Sequence, residues 1–495
     1  MTLEATGGRL RYSSAVGRWV IVATVLGSAV TTLDSTIVGI ALPTIGREFK
    51  VGMADLQWVS AGYMLTLSGL LLLGGALGDR HGRRRVFLFG VIWFGIASLL
   101  CGAAPDILTM ILARGLQGIG AALLTPGSLA ILEASFRSED RGTAIGAWSG
   151  FAGVASAVGP FLGGYLMAVG SWRLIFLVNV PVVLAVLLIT ARYVPETRDP
   201  AAGPIDGTGA VLITVGLTAL CYGLIEGPSV GFEHPAIACL LLVGAGGIVL
   251  FVVVESRMGH PLLPLGLFRS RQFAGANLVT FVVYAALGTT LFLLPMELQQ
   301  VAHYSPLESG VALLPVTFIM LILSSRSGAL ASRIGPRLQM SVGPLVMAVG
   351  MLMLVRVGSS QSYFRDVLPA VLVFGLGLAI NVAPLTAAVL AAAPTQAAGV
   401  ASAANNDVAR VGGLLSVAVL PSLAGITGAS YLHPDQLDDG FRTAVLIAAA
   451  LCASGGVLAA LTIRNRARRL GAAGDRSRSS SHCALDAPPP SVGPR

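Results

Sequence analysis

The chain has 495 residues, 55% of them hydrophobic and only 11% charged. A soluble protein would carry roughly a quarter charged residues, so the composition excludes an ordinary soluble domain and puts most of the chain in lipid. The net charge of +8 does not mark a nucleic-acid partner, because the arginines fall in short loops between apolar runs, as orientation signals do.

The first apolar run, Trp19 to Leu42, is longer than the ~7–15 residues of a cleaved signal and reads as a permanent span. It contains Asp34. An Asp at a helix centre costs roughly 2.5–3.5 kcal/mol on insertion scales and marks a functional candidate, here for binding and releasing a proton. The next runs, Leu56 to Leu77 and Val86 to Ala104, are joined by Asp79-Arg80-His81-Gly82-Arg83-Arg84-Arg85. Each run is long enough to cross a bilayer, at ~20 residues per helix. The arginine-dense loop between them is expected on the cytoplasmic side.

The fourth span carries Arg114 within Leu112-Ala113-Arg114-Gly115-Leu116-Gln117-Gly118. An intramembrane arginine keeps its charge, so it needs a carboxylate, a helix carbonyl or water. The fifth runs from Gly146 to Gly164 with Gly150, Gly153, Gly159-Pro160 and Gly163-Gly164. Its small face invites close helix packing, and Pro160 removes a backbone donor and bends the helix. The sixth opens with Ser171-Trp172-Arg173, a pair suited to the outer interface.

A proline-containing linker, Arg192 to Asp206, leads to two further spans near Leu217 and Ile248, and Arg257 to Arg271 forms the next loop. Six more spans centre near Ala285, Met320, Val346, Leu378, Gly412 and Leu451. Glu297 follows Pro295 near the outer end of the ninth span and is either a second site for a proton or cation or an interface residue. Asp407 and Arg410, three apart in the thirteenth, share a helix face and are expected to pair structurally. The Ser- and Pro-rich tail reads as disordered.

The fold class is therefore an all-α polytopic membrane protein with fourteen predicted spans. The arginine count alternates from loop to loop, which places both termini in the cytoplasm and requires an even span number. The predicted organisation is a cytoplasmic N-tail (1–18), a six-helix bundle (19–191), a linker with two extra helices (192–272), a second six-helix bundle (273–463) and a basic tail (464–495). The string Gly75-Ala76-Leu77-Gly78-Asp79-Arg80-His81-Gly82-Arg83-Arg84 returns as Gly328-Ala329-Leu330-Ala331-Ser332-Arg333-Ile334-Gly335-Pro336-Arg337, with six of ten positions identical. Parallel halves of this kind are the trace of two bundles facing each other across a midplane site.

The Gly75–Arg84 string resembles the loop signature of the major facilitator superfamily. The stretch from Leu33 to Pro43 resembles the first-span motif of drug:proton antiporters, and the Gly146–Gly164 span resembles their antiporter signature, with Ala155 where glycine is usual. The strings Ser171–Pro181, Leu224–Gly227 and Tyr304–Gly310 are similar to the fourteen-span drug:proton antiporter family of the EmrB/QacA type. The likeness runs from about Trp19 to Ile463. It implies two six-helix bundles of the major facilitator type plus an inserted helical pair, working by alternating access. It also implies proton coupling through Asp34 and Arg114, with Glu297 as a further candidate. The antiporter seam would be Gly146, Gly159, Pro160, Gly163 and Gly164, and the cytoplasmic gating loop Gly75, Asp79, Arg80, Gly82, Arg83 and Arg84.

The expected activity is export of small amphipathic, often cationic organic compounds in exchange for protons, by a monomer in the cell membrane. The alternatives are a dedicated exporter of one metabolite, antibiotic or lipid, or a non-transporting enzyme or sensor on the same scaffold. No phosphate loop, metal cluster or nucleophile elbow appears, so no cofactor and no enzyme activity are expected. The five cysteines lack metal-ligand spacing and read as small apolar residues.

Overall fold

The computed structural model describes residues 10–200, 202–358, 362–394 and 397–465; the tail beyond 465 and residues 1–9 lie outside these. Every long element is a helix. In chain order they are α1 (Ala15–Phe49), α2 (Met53–His81), α3 (Arg83–Gly102), α4 (Ile107–Ser135), α5 (Ser138–Val169), the short α6 (Leu174–Leu177) and α7 (Asn179–Tyr193). Then follow α8 (Gly207–Val230), α9 (Pro235–Arg257), α10 (Arg271–Gln300), α11 (Pro306–Ala312), α12 (Leu314–Ile334), α13 (Pro336–Leu354), α14 (Leu368–Ala392), α15 (Ala398–Leu423) and α16 (Pro434–Thr462).

Local chemistry sets the boundaries. Asp106 caps α4 by accepting from the Thr109 amide at 2.8 Å, Asp206 caps α8 from Gly209 at 2.8 Å, and Ser305 with Glu308 forms a capping box on α11. Such caps satisfy amides that a helix start leaves unpaired. Lys50 ends α1 in the left-handed region, at φ 56°.

Among the described residues, twelve helices are long and apolar enough to cross a membrane, with α6–α7 and α11–α12 each counting as one. The sequence reading of fourteen is therefore reduced to twelve candidates. The fifth and thirteenth predicted spans exist as α5, of 32 residues, and α15, of 26 residues, but fall outside the twelve. For α15 the reason is polarity. In α15 the middle carries Asn405, Asn406, Asp407 and Arg410.

Helices α1–α7 pack as one half and α10–α16 as the other, each around its own buried apolar residues, while one core cluster continues across both. The inserted pair sits on the seam between halves. Its α8 packs against α2 and α15, where Cys221 and Ile225 join Ala61, Leu65, Leu414 and Ala418. Trp58 fixes this contact by donating to Glu226 at 2.9 Å. Helix α9 packs on α8 through Gly216, Gly244 and Gly247 and leaves most of its length exposed, as suits a lipid-facing helix.

The halves meet at one end of the molecule and part at the other. At the end bearing Arg47 and Lys50, Gln57 donates to the Val417 carbonyl at 2.6 Å and Gln299 to that of Ile40 at 2.8 Å. The Tyr431 hydroxyl donates to Val51 O at 2.8 Å, and the Met53 amide to Gly428 O at 2.7 Å. At the arginine-rich end a cavity opens between the halves.

Candidate coupling and translocation site

Asp34 lies on α1 and Arg114 on α4, 80 residues apart in sequence, with side chains 0% and 2% exposed. Arg114 Nη1 donates to Asp34 Oδ2 at 2.5 Å and to Gln117 Oε1 at 2.5 Å, and Nε donates to the Val59 carbonyl at 3.1 Å. The guanidinium also lies over the Tyr63 ring, 4.4 Å from its centroid. Asp34 Oδ1 accepts from Gln117 Nε2 at 2.8 Å and from Asn179 Nδ2 at 3.0 Å. The same two amides reach Ser98 Oγ, at 2.8 and 3.3 Å. Both Asp34 oxygens therefore act only as acceptors, the bonding pattern of a carboxylate. Removing either charge would strand the other in a dry site, which costs about 3–5 kcal/mol.

Beside this cluster, on the arginine-rich side, is a cavity of about 730 Å³ between the two halves. Ser28, Thr31 and Thr32 of α1 and Trp148 of α5 line it from one half; Asn406 and Arg410 of α15 line it from the other. Asp34 does not reach the cavity surface: it points into the N-terminal half while Thr32, two residues earlier, faces the cavity. The buried pair and the cavity are thus adjacent, separated by the thickness of α1.

One side of the cavity mouth is built by Gly75–Arg84, which the structure shows as the end of α2, Gly82 and the start of α3 rather than as a loop. Asp79 pairs with Arg83 at 2.7 Å one helical turn on, and both line the cavity. Gly82 sits at φ 113°, where a side chain is disfavoured, and a Cβ there would strike Glu196 at 2.6 Å. Glu196 accepts from the Arg84 amide at 3.1 Å, and the Arg84 side chain donates to the Ala191 carbonyl. Gly75 faces Pro126 of α4, and Arg80 is exposed.

Residues 24–417 match the Major Facilitator Superfamily. The chain belongs to that superfamily. It is 36% identical over 415 residues to multidrug resistance protein Stp of Mycobacterium tuberculosis, covering 84% of this chain and 77% of that one. It is 37% identical over 418 residues to the puromycin resistance protein pur8 of Streptomyces alboniger, covering 84% and 83%. Among solved structures it superposes on a bacterial homolog of the human lysosomal transporter Spinster, in its inward-facing and unoccupied conformation, with a TM-score of 0.66 at 16% identity, over 91% of this chain and 97% of that one.

In this superfamily member the glycine face of α5 divides in two. A Cβ on Gly159 would strike the Thr36 hydroxyl, one on Gly163 would stand 2.9 Å from Ile37 Cγ2, and one on Gly164 would stand 2.6 Å from Leu307 Cα. Gly310 closes the same contact against Pro160. Gly146 takes no part: nothing lies within 4 Å of a Cβ placed there. Glu297 is 0% exposed, away from the cavity, and neither of its carboxyl oxygens meets a donor among the described residues. Its Oε1 and Asp438 Oδ1 converge near Gly358, and Asp438 is held by Arg442 at 2.6 Å. Among the described residues Asp407 and Arg410 form no ion pair, against the expectation that they pair, and Asp407 Oδ1 has no hydrogen-bond partner. Sequence reasoning missed Gln117, Asn179, Ser98 and Tyr63 as members of the Asp34 cluster. No group of three metal-ligating side chains occurs among the described residues.

Proposed function

We propose that this chain exports small organic compounds in exchange for protons, as a fourteen-span drug:proton antiporter of the EmrB/QacA type with both termini cytoplasmic. The observation that carries the reading is the Asp34–Arg114 pair, sealed from water one helix thickness from an open central cavity. The relatives named for multidrug and puromycin resistance support the export direction. Helices α5 and α15 both line the cavity. At 32 and 26 residues and ~1.5 Å per residue they exceed the ~30 Å of hydrocarbon. They complete the fourteen, with Trp148, Ser402, Asn406 and Arg410 turned toward the cavity.

The bonds support a coupling sequence. With the cavity open to the cytoplasm, Asp34 accepts from Arg114, Gln117 and Asn179, the arrangement left after a proton has gone inward. A proton arriving from outside on Asp34 removes the charge that Arg114 needs. The pair loosens, α1 and α4 shift relative to each other, and the halves rock about the α5 seam. Substrate in the cavity senses this through α1, whose Thr31 and Thr32 it touches.

The test is reconstitution in liposomes. Wild type should concentrate a fluorescent organic dye such as a rhodamine carrying a free benzoic acid against its gradient when protons run the other way, and Asp34→Asn should still bind the dye while failing to pump uphill. Uphill pumping by Asp34→Asn would move the coupling carboxyl elsewhere, with Glu297 next in line. No proton-driven movement by wild type of any tested compound would overturn the export reading.

A further inference from the structure

Arg410 stands at the middle of α15 and lines the central cavity. It forms no ion pair and no hydrogen bond with any described residue. The titratable groups facing it are the hydroxyls of Tyr63 on α2 and Tyr284 on α10, and Asp407 one turn earlier on its own helix. Asp407 does not line the cavity. The other arginine on the cavity wall, Arg83, already holds Asp79 at 2.7 Å at the mouth. The guanidinium of Arg410 is thus a charge on the cavity wall with no bonded counter-ion, the facing Asp407 making neither an ion pair nor a hydrogen bond with it, and such a charge is expensive unless something completes it. Asn406, on the same wall, donates through Nδ2 to Ser402 O at 3.0 Å, while its side-chain carbonyl accepts no bond from any described residue.

We propose that Arg410 is a recognition residue for an acidic group on the exported compound, a carboxylate or an ionised phenol. A planar carboxylate matches the two-pronged donor face of a guanidinium. The apolar body of the ligand would lie against Leu71, Leu72 and Trp148 across the cavity. Positively charged compounds without an acid are disfavoured at this depth by the same charge. The inference rests on the cavity being the substrate cavity, and it narrows the substrate class from the cationic compounds that the sequence suggested to acidic or zwitterionic ones.

The probe is a matched pair: a rhodamine with a free benzoic acid, and the methyl ester of the same dye. Binding is measured by fluorescence on the purified full chain in lipid nanodiscs, so the result does not depend on pumping. Wild type should prefer the acid, by roughly tenfold to a hundredfold, the range of a charge-assisted hydrogen-bonded contact. Arg410→Gln should erase that preference while keeping affinity for the ester, and Arg410→Lys should keep part of it. Equal binding of the two dyes by wild type, preference for the ester, no binding of either, or unchanged acid preference in Arg410→Gln would each overturn the assignment. Equal loss of both dyes in Arg410→Gln, with Arg410→Lys no better, would make the residue structural. Failure of wild type to pump either dye with acid preference intact would strike the export reading and leave the site.

Discussion

Gln117 is the residue on which the buried cluster turns. It accepts from Arg114 and donates to Asp34, so it bridges both charges and fixes their angle. Replacing it by Leu leaves Asp34 Oδ1 with Asn179 alone. A lost hydrogen bond to a charged group is worth about 1.5–3 kcal/mol, so Gln117→Leu should slow proton-driven efflux roughly tenfold or more without abolishing it, measured in liposomes at a fixed gradient. Arg114→Lys should do more harm. Arg114 donates from Nε to Val59 and from Nη1 to two side chains at once, and an ammonium cannot reproduce that spread. Protein that reaches the membrane but does not couple is the expected outcome; wild-type rates would assign Arg114 to packing. Asp34 and Arg114 were legible in the sequence because a charge inside an apolar run is costly. Gln117, Ser98 and Asn179 were not, because neutral polar residues in membrane helices carry no such cost and reveal no partner.

Helix α5 is packed at one end and free at the other, and its glycines have opposite uses in the two places. At the outer end a Cβ on Gly310 would meet Pro160 main chain, which cannot step aside. Gly310→Ala should therefore push the outer ends of the halves apart and disfavour the state described here. Distances between spin labels on the α1–α2 turn and the loop after α15 should lengthen. At the inner end Gly146 faces open space, so Gly146→Leu should leave this state intact. If α5 closes the inner side by the same small-residue packing, that substitution should block closure and hold the cavity open to the cytoplasm, seen as persistent labelling of a cysteine placed at Thr32. Matching label patterns for Gly146→Leu and wild type across a proton gradient would count against this division of labour. The sequence displayed the small face of α5 but not its partners, since spacing along one helix does not say which neighbour approaches or at which depth.

Across the whole molecule, the repeat read from six identities is matched by bonds. In the first half the Arg84 amide donates to Glu196 and its side chain to the Ala191 carbonyl. In the second, the Arg337 amide donates to Asn465 at 3.1 Å and its side chain to the Ala460 carbonyl at 2.8 Å. Gly82 and Gly335 both sit at positive φ, at 113° and 85°. Each half thus ends its sixth helix by gripping the loop after its second. The pairing was legible on the loop side, where glycine and arginine are distinctive. It was not legible on the other, where Glu196 and Asn465 differ in charge and no motif surrounds them. The span count was the weakest reading, because cavity-lining helices such as α15 carry the polar residues that lipid-facing helices exclude. Reporter fusions test the orientation: one after Asn465 should report the cytoplasm and one within the Glu226–His234 turn the outside. An outside signal after Asn465 would reverse the arrangement.

The bonds that join the halves at the outer end run from amides and a phenol to main-chain carbonyls. Neutral donors on neutral acceptors neither gain nor lose a proton across the ordinary range of pH, and dissolved ions barely screen them. The contact between the halves at that end is accordingly indifferent to salt or acid in the surroundings, and opening it falls to whatever reaches the interior of the protein.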